Sequence, residues 1–208
     1  MSDLLDSDRL RPDRPGSDRP DSDRPGSDLL GSDLLGRARA ERAAPGAALA
    51  QDAAEIVRAA QAMAGRFGRG GRLLAFGAPA DAAHVAVEFT HPVIVGKRAL
   101  PALAVDAVLL RTLGRPEDIA LGIGPRLGGG TVLDGGDPEG GGRGPGGSAL
   151  EVARGLGMST VVLTGPSGGV AADHVLLARA EDPLIARELH VTTYHLLWEL
   201  VHVFLEAS

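Results

Sequence analysis

The chain has no cysteine, and among its 208 residues only 4 are Phe, 1 is Trp and 1 is Tyr. The first absence excludes disulfides, thiolate metal sites and cysteine nucleophiles, and it suits a reducing cytoplasm. The second obliges the core to be aliphatic. Basic charge is also short: the formal net charge is −6 and the pI about 5.5, which leaves no footprint for nucleic acid or for an anionic membrane surface. No apolar run approaches the roughly 20 residues that span a bilayer. The opening M-S-D-L-L-D is acidic where a secretory signal would be basic. The expectation is a soluble cytoplasmic protein with neither nucleic acid nor membrane as partner. What is abundant is glycine, 30 residues, and proline, 14, in a chain that is 44% hydrophobic and long enough for one domain of ordinary size.

Glycine and proline are concentrated at two places. Residues 2–36 parse as seven pentads, from S-D-L-L-D to S-D-L-L-G, rich in Asp, Arg, Pro and Gly. A period of five matches neither helix nor strand, and the apolar area is too small to offset the entropy of ordering. Residues 1–40 are therefore expected to form a disordered tail. It is either an inert low-complexity leader or, through S-D-L-L at Ser27–Leu30 and Ser32–Leu35, a multivalent docking segment for a protein partner. The second concentration is residues 124–147, where 12 of 24 residues are Gly, a composition that predicts a mobile loop.

Between these lie alternating patterns. Leu49, Ala53, Ile56, Ala60, Met63 and Phe67 recur at steps of four and three, predicting one amphipathic helix over 47–67 stopped by Gly68. Its Ala-rich stripe suits close packing against another helix, in the same subunit or a partner. Leu73–Phe76 is continuously apolar and ends at Gly77, as a parallel strand covered on both faces does. Pro79 then fits a first helical turn, where its missing N–H costs nothing. Further strands are expected at 99–105, 119–123, 160–164 and 175–177, with a helix over 106–113. Another helix, ending near Gly157, is expected behind a capping box of Ser148 and Glu151. Strands alternating with helices predict a three-layer α/β/α domain built on a five-stranded parallel sheet.

Chemistry is suggested at two helices. His84 and Glu88 stand at i and i+4 on the helix after the first strand, so both project from one face and can share a proton, a metal ion or simply each other as an exposed ion pair. A helix following the first strand of such a sheet begins at the carboxyl edge, where open α/β sheets place ligands. The last helix, 183–206, carries Glu188, Thr192, His195, Glu199, His202 and Glu206 on one face, either as a solvated stripe or as part of a site.

The segments F-G-(loop)-A-D-A-A-H-V-A-V-E-F, K-R-A-L-P-A-L-A-V, R-P-E-D-I-A-L-G-I, G-M-S-T-V-V-L-T-G and E-L-H-V-T-T-Y-H-L-L-W-E-L-V-H, in this order, resemble a sugar isomerase (SIS) domain of the phosphoheptose isomerase family. The likeness covers residues 45–206. It implies a flavodoxin-like strand order, usually a tetramer, and aldose–ketose isomerisation of sedoheptulose 7-phosphate or another phosphorylated sugar, often with zinc; the Ala-rich stripe at 47–67 and the apolar flanks of the last helix carry more hydrophobic surface than one small sheet covers, so a homodimer or homotetramer is expected. It also implies that His84, Glu88 and His195 are metal ligands and that Glu88 and His195 are catalytic. Base, second acid/base group and Lewis acid are what moving a proton between adjacent carbons requires. By the same resemblance Gly77, Ser148 and Arg187 fall at substrate-binding positions, Arg187 standing where the family has a Gln ligand. The first phosphate loop, Gly77-Ala78-Pro79-Ala80, is about three residues shorter than the family's and lacks a hydroxyl. The alternative from another class is a non-catalytic oligomeric scaffold that presents the pentads to a protein partner.

Overall fold

The computed structural model describes residues 25–91, 96–124, 127, 145–167 and 169–207. Five strands form one sheet: β1 Leu73–Gly77, β2 Ala102–Ala104, β3 Ile119–Ile123, β4 Ser159–Thr164 and β5 His174–Leu177. All neighbours pair in parallel, in the order β2-β1-β3-β4-β5, so the three-layer flavodoxin-like sheet expected from the sequence is the one found. Burial explains the continuous apolar runs of β1 and β3: every residue of β3 is buried, as is every residue of β4, because helices cover both faces.

Side chains alternate along each strand, and the two faces gather separate cores. On one face Leu73, Ala75, Ile119, Leu121, Val161 and Leu163 pack against α2 (Ala53–Gly68), α3 (Pro79–Thr90) and α6 (Pro183–Glu206). On the other, Leu74, Phe76, Ala120 and Val162 pack against Leu110 of α4 (Ala107–Leu113) and against Ala149, Leu150 and Ala153 of α5 (Pro145–Gly155). The Ala-rich stripe of α2 is spent on α6 of the same chain: Ile56, Ala59, Ala60, Met63 and Phe67 lie in one core with Tyr194, Leu197, Trp198 and Val201. From Ile56 to Phe67 that stripe is buried within the chain, whereas Ala53 stays exposed.

Three boundaries differ from expectation. α1 spans Pro25–Ala48 and leads through a 3₁₀ turn, Leu49–Asp52, into α2. Residues 25–40 of the tail expected to be disordered belong to this helix, while residues 1–24 lie outside those described. The last two pentads have lost their prolines for Leu pairs and run into Arg- and Ala-rich helix formers, and Pro25 occupies a first-turn position. α5 begins at Pro145, so Ser148 sits within its first turn and is not the N-cap of a capping box. Most of the glycine tract, Thr131 included, lies outside the described residues. β2 is three residues long instead of seven.

The described chain divides into a segment up to Ala40 and a body from Glu41 to Ser208. Among the described residues, no helix is long and apolar enough to cross a membrane.

Candidate functional site

β1 ends in a turn that only glycine permits. Gly77 has φ +112°, and a Cβ there would lie 2.1 Å from the Ile123 carbonyl oxygen at the end of β3. The Ala78 N–H donates to that same carbonyl at 2.9 Å, which fixes where α3 starts relative to the sheet. No side chain caps the helix, and Pro79 supplies no N–H. Asp81, in the first turn, is buried, yet its Oδ1 receives the Arg187 Nε–H from α6 at 2.7 Å. Arg187 therefore meets α3 through a carboxylate, and its side chain is 53% exposed.

Two turns along, α3 and α6 bring the chemistry together. His84 Nε2 lies 3.1 Å from Glu88 Oε1, and His195 Nε2 lies 3.7 Å from the same oxygen. The two imidazole rings are 5.9 Å apart between centroids and nearly perpendicular. One potential ligand atom from each of His84, Glu88 and His195 falls within 4.8 Å of the others. The three residues named from the sequence converge.

Tyr194 completes the group, and the sequence reading passed over it. Its hydroxyl lies 2.6 Å from His84 Nδ1, and its ring packs edge-on against both imidazoles, with centroids 5.5 Å from His84 and 4.9 Å from His195. Burial first, and then the Asp81 and Glu88 carboxylates, push the phenol up to about 12, so it keeps its proton. The available signal was that the chain's single Tyr immediately precedes His195.

No protein-family model matches the chain. It is 31% identical over 171 residues to a phosphoheptose isomerase of Roseiflexus sp. strain RS-1, covering 70% of this chain and 80% of that one. It is 33% identical over 182 residues to the phosphoheptose isomerase of Desulfovibrio desulfuricans, covering 75% and 80%. The chain belongs to the phosphoheptose isomerase family. Solved structures of phosphoheptose isomerases from Neisseria gonorrhoeae and Francisella tularensis superpose with TM-scores of 0.67 and 0.65 at 21% and 18% identity. They cover 82% and 86% of this chain and 97% and 99% of theirs, which establishes the SIS fold.

Within this phosphoheptose isomerase fold, the donor set fits the zinc that the family implies. Two imidazoles and one carboxylate are three protein ligands of the kind a catalytic zinc takes, and separations of 3.1 and 3.7 Å between donors suit ligand bonds of about 2.0–2.2 Å. The remaining expected residues are dispersed. Ser148 belongs to α5, which packs on the opposite face of the sheet from α3 and α6. Gly77 ends β1 just before α3, and Arg187 reaches the first turn of α3 from α6 through Asp81, where no side chain caps the helix and Pro79 has no N–H. On α6, Glu188, Thr192, Glu199 and Glu206 are solvated, so the polar stripe is mostly a surface, with His195 at its edge facing the site. His202 is buried beneath it, between the Trp198 and Arg98 carbonyls at 2.9 and 3.2 Å. His190 is buried too. Desolvation lowers its pKa, which the nearby Thr164 backbone opposes only in part, and neither ring nitrogen completes a hydrogen bond among the described residues.

Proposed function

We propose that this chain binds a phosphorylated sugar between α3 and α6 and interconverts its aldose and ketose forms. The observation that carries the reading is the convergence of His84, Glu88 and His195 on one point in a member of this family. Isomerisation removes a proton from the carbon next to the carbonyl and returns it to the former carbonyl carbon, while a second proton moves between the two oxygens. Glu88 Oε1 faces both imidazoles, which leaves Oε2 for the carbon-bound proton. His195, partly exposed beside that carboxylate, exchanges the oxygen-bound proton. His84, Glu88 and His195 are the residues that would hold zinc, whose charge stabilises the oxygen anion that develops during the transfer.

Recognition of the phosphate falls to Arg187. Asp81 holds its Nε, and the half-exposed guanidinium keeps its two terminal nitrogens for a bidentate contact, with the Gly77 turn beside it. Ser148, in the first turn of α5, is a further candidate for the substrate. The assembly we infer is a homodimer or homotetramer, and the setting is the cytoplasm. No observation favours a non-catalytic scaffold with a protein partner on its N-terminal pentads.

The test is turnover of sedoheptulose 7-phosphate with and without zinc, beside Glu88→Gln and His195→Ala. Each substitution is expected to lower kcat by about 100-fold or more. Absence of turnover by the unaltered protein, together with no thermal stabilisation by any sugar phosphate, would overturn the reading.

A further inference from the structure

Tyr194 is fully buried, and its hydroxyl has one hydrogen-bond partner among the described residues, His84 Nδ1 at 2.6 Å. A phenol has a single proton to donate, and neutral imidazole has one N–H and one lone pair. Two arrangements are open to the pair. If Tyr194 donates to Nδ1, the ring proton of His84 sits on Nε2 and points at Glu88 Oε1, 3.1 Å away, so every group is satisfied. In the reverse arrangement Nδ1–H donates to the phenol oxygen. The phenol proton then loses its acceptor in a buried site, and the Nε2 lone pair faces a carboxylate oxygen. Both changes are unfavourable.

We propose that Tyr194 is a positioning residue: by donating to His84 Nδ1 it holds the ring proton on Nε2 and makes His84 the donor that fixes the orientation of Glu88. The chain of contacts runs Tyr194 to His84 to Glu88, a base oriented by a group that is itself oriented by a third. In the metal-free protein His84 is thus a hydrogen-bond donor. Service as a ligand through Nε2 requires its proton to pass to Nδ1 and the Tyr194 hydroxyl to turn from donor to acceptor. The catalytic consequence rests on the isomerase reading, whereas the tautomer does not.

The experiment uses the full chain, 15N-labelled at histidine, freed of metal with EDTA and held near pH 8.5, about two units above the ordinary imidazole pKa of about 6.5. Long-range 15N–1H correlation is expected to show His84 as the Nε2–H tautomer. In Tyr194→Phe, which keeps the ring that both imidazoles pack against, the His84 Nδ1 resonance is expected to move by well over its linewidth toward an unbonded acceptor. A His84 proton on Nδ1 in the unaltered protein, or His84 resonances unmoved in the variant, would overturn the proposal, and the first of these needs no variant to fold. In the assay on sedoheptulose 7-phosphate without zinc, Tyr194→Phe is expected to lower kcat about tenfold or more with KM changed less than about twofold. An unchanged kcat refutes the positioning role. If the unaltered protein turns nothing over, the functional reading fails, and the spectrum alone then decides the orientation of His84.

Discussion

Asp118 is a single carboxylate that ties two loops to the start of β3. Its Oδ1 accepts from the Arg72 backbone N–H at 2.9 Å and from Arg72 Nε at 3.2 Å, and its Oδ2 accepts from Arg72 Nη2 at 2.7 Å and the Arg115 N–H at 3.1 Å. Burial pushes its pKa up, but the hydrogen bonds and charge of Arg72 together with the Arg115 N–H outweigh this and hold the carboxyl below its usual range. The Arg72 guanidinium moves the opposite way for the same reason. Because the folded value is depressed, the unfolded chain binds more protons in acid. The contribution is complete at neutral pH and disappears as pH falls below about 4 toward the folded value. Asp118→Asn is expected to cost about 3 kcal/mol at pH 7, since it leaves a partly buried guanidinium without its charge partner. The difference from the unaltered protein should shrink at pH 3. Urea unfolding at the two pH values measures both, and an equal cost at each would refute the electrostatic account.

At the scale of elements, Gly77 carries the joint between sheet and site. Gly77→Ala places a methyl group 2.1 Å from the Ile123 oxygen at a φ of +112°, which L side chains rarely adopt. The backbone term alone is about 1–3 kcal/mol, and relief of the clash must pull β1 from β3 or displace α3. A large loss of thermal stability, with weakened turnover even below the melting transition, is expected; a variant as stable as the parent would contradict the packing described. The elements legible in the sequence were those whose environment leaves a one-dimensional trace. β1 and β3 read as unbroken apolar runs because both faces are covered, and α6 was bounded by Pro183 at its start. His84 and Glu88 were legible for the same reason, since i and i+4 on one helix is a local relation. Tyr194 was not, because its burial comes from α3 crossing α6, and nothing in the neighbouring residues records that crossing. The N-terminal half of α1 lies within the repeat of five, whose period carries no helical trace.

Among the described residues, the β2 edge of the sheet has no further strand beside it. β2 is the edge of the sheet, three residues long, and on it and the following α4 Leu103, Val108, Leu109 and Leu113 are exposed, Val108 by 70%. A parallel sheet is ordinarily covered on its faces, and an open edge flanked by large aliphatic side chains invites another chain. With the α2 stripe from Ile56 to Phe67 already buried within the chain, this edge is the surface on which we expect copies to meet. Light scattering at micromolar concentration is expected to give a multiple of the 21.3 kDa chain mass. Val108→Asp combined with Leu109→Asp should drive the mass down toward a single chain, and because both side chains are already solvated, the unfolding transition of the separated chain should persist. Two charges placed in an interface core lack partners there, whereas at the surface of a monomer they remain hydrated. A single-chain mass for the unaltered protein would remove the oligomer, and an unchanged multiple in the double variant would move the contact away from β2 and α4.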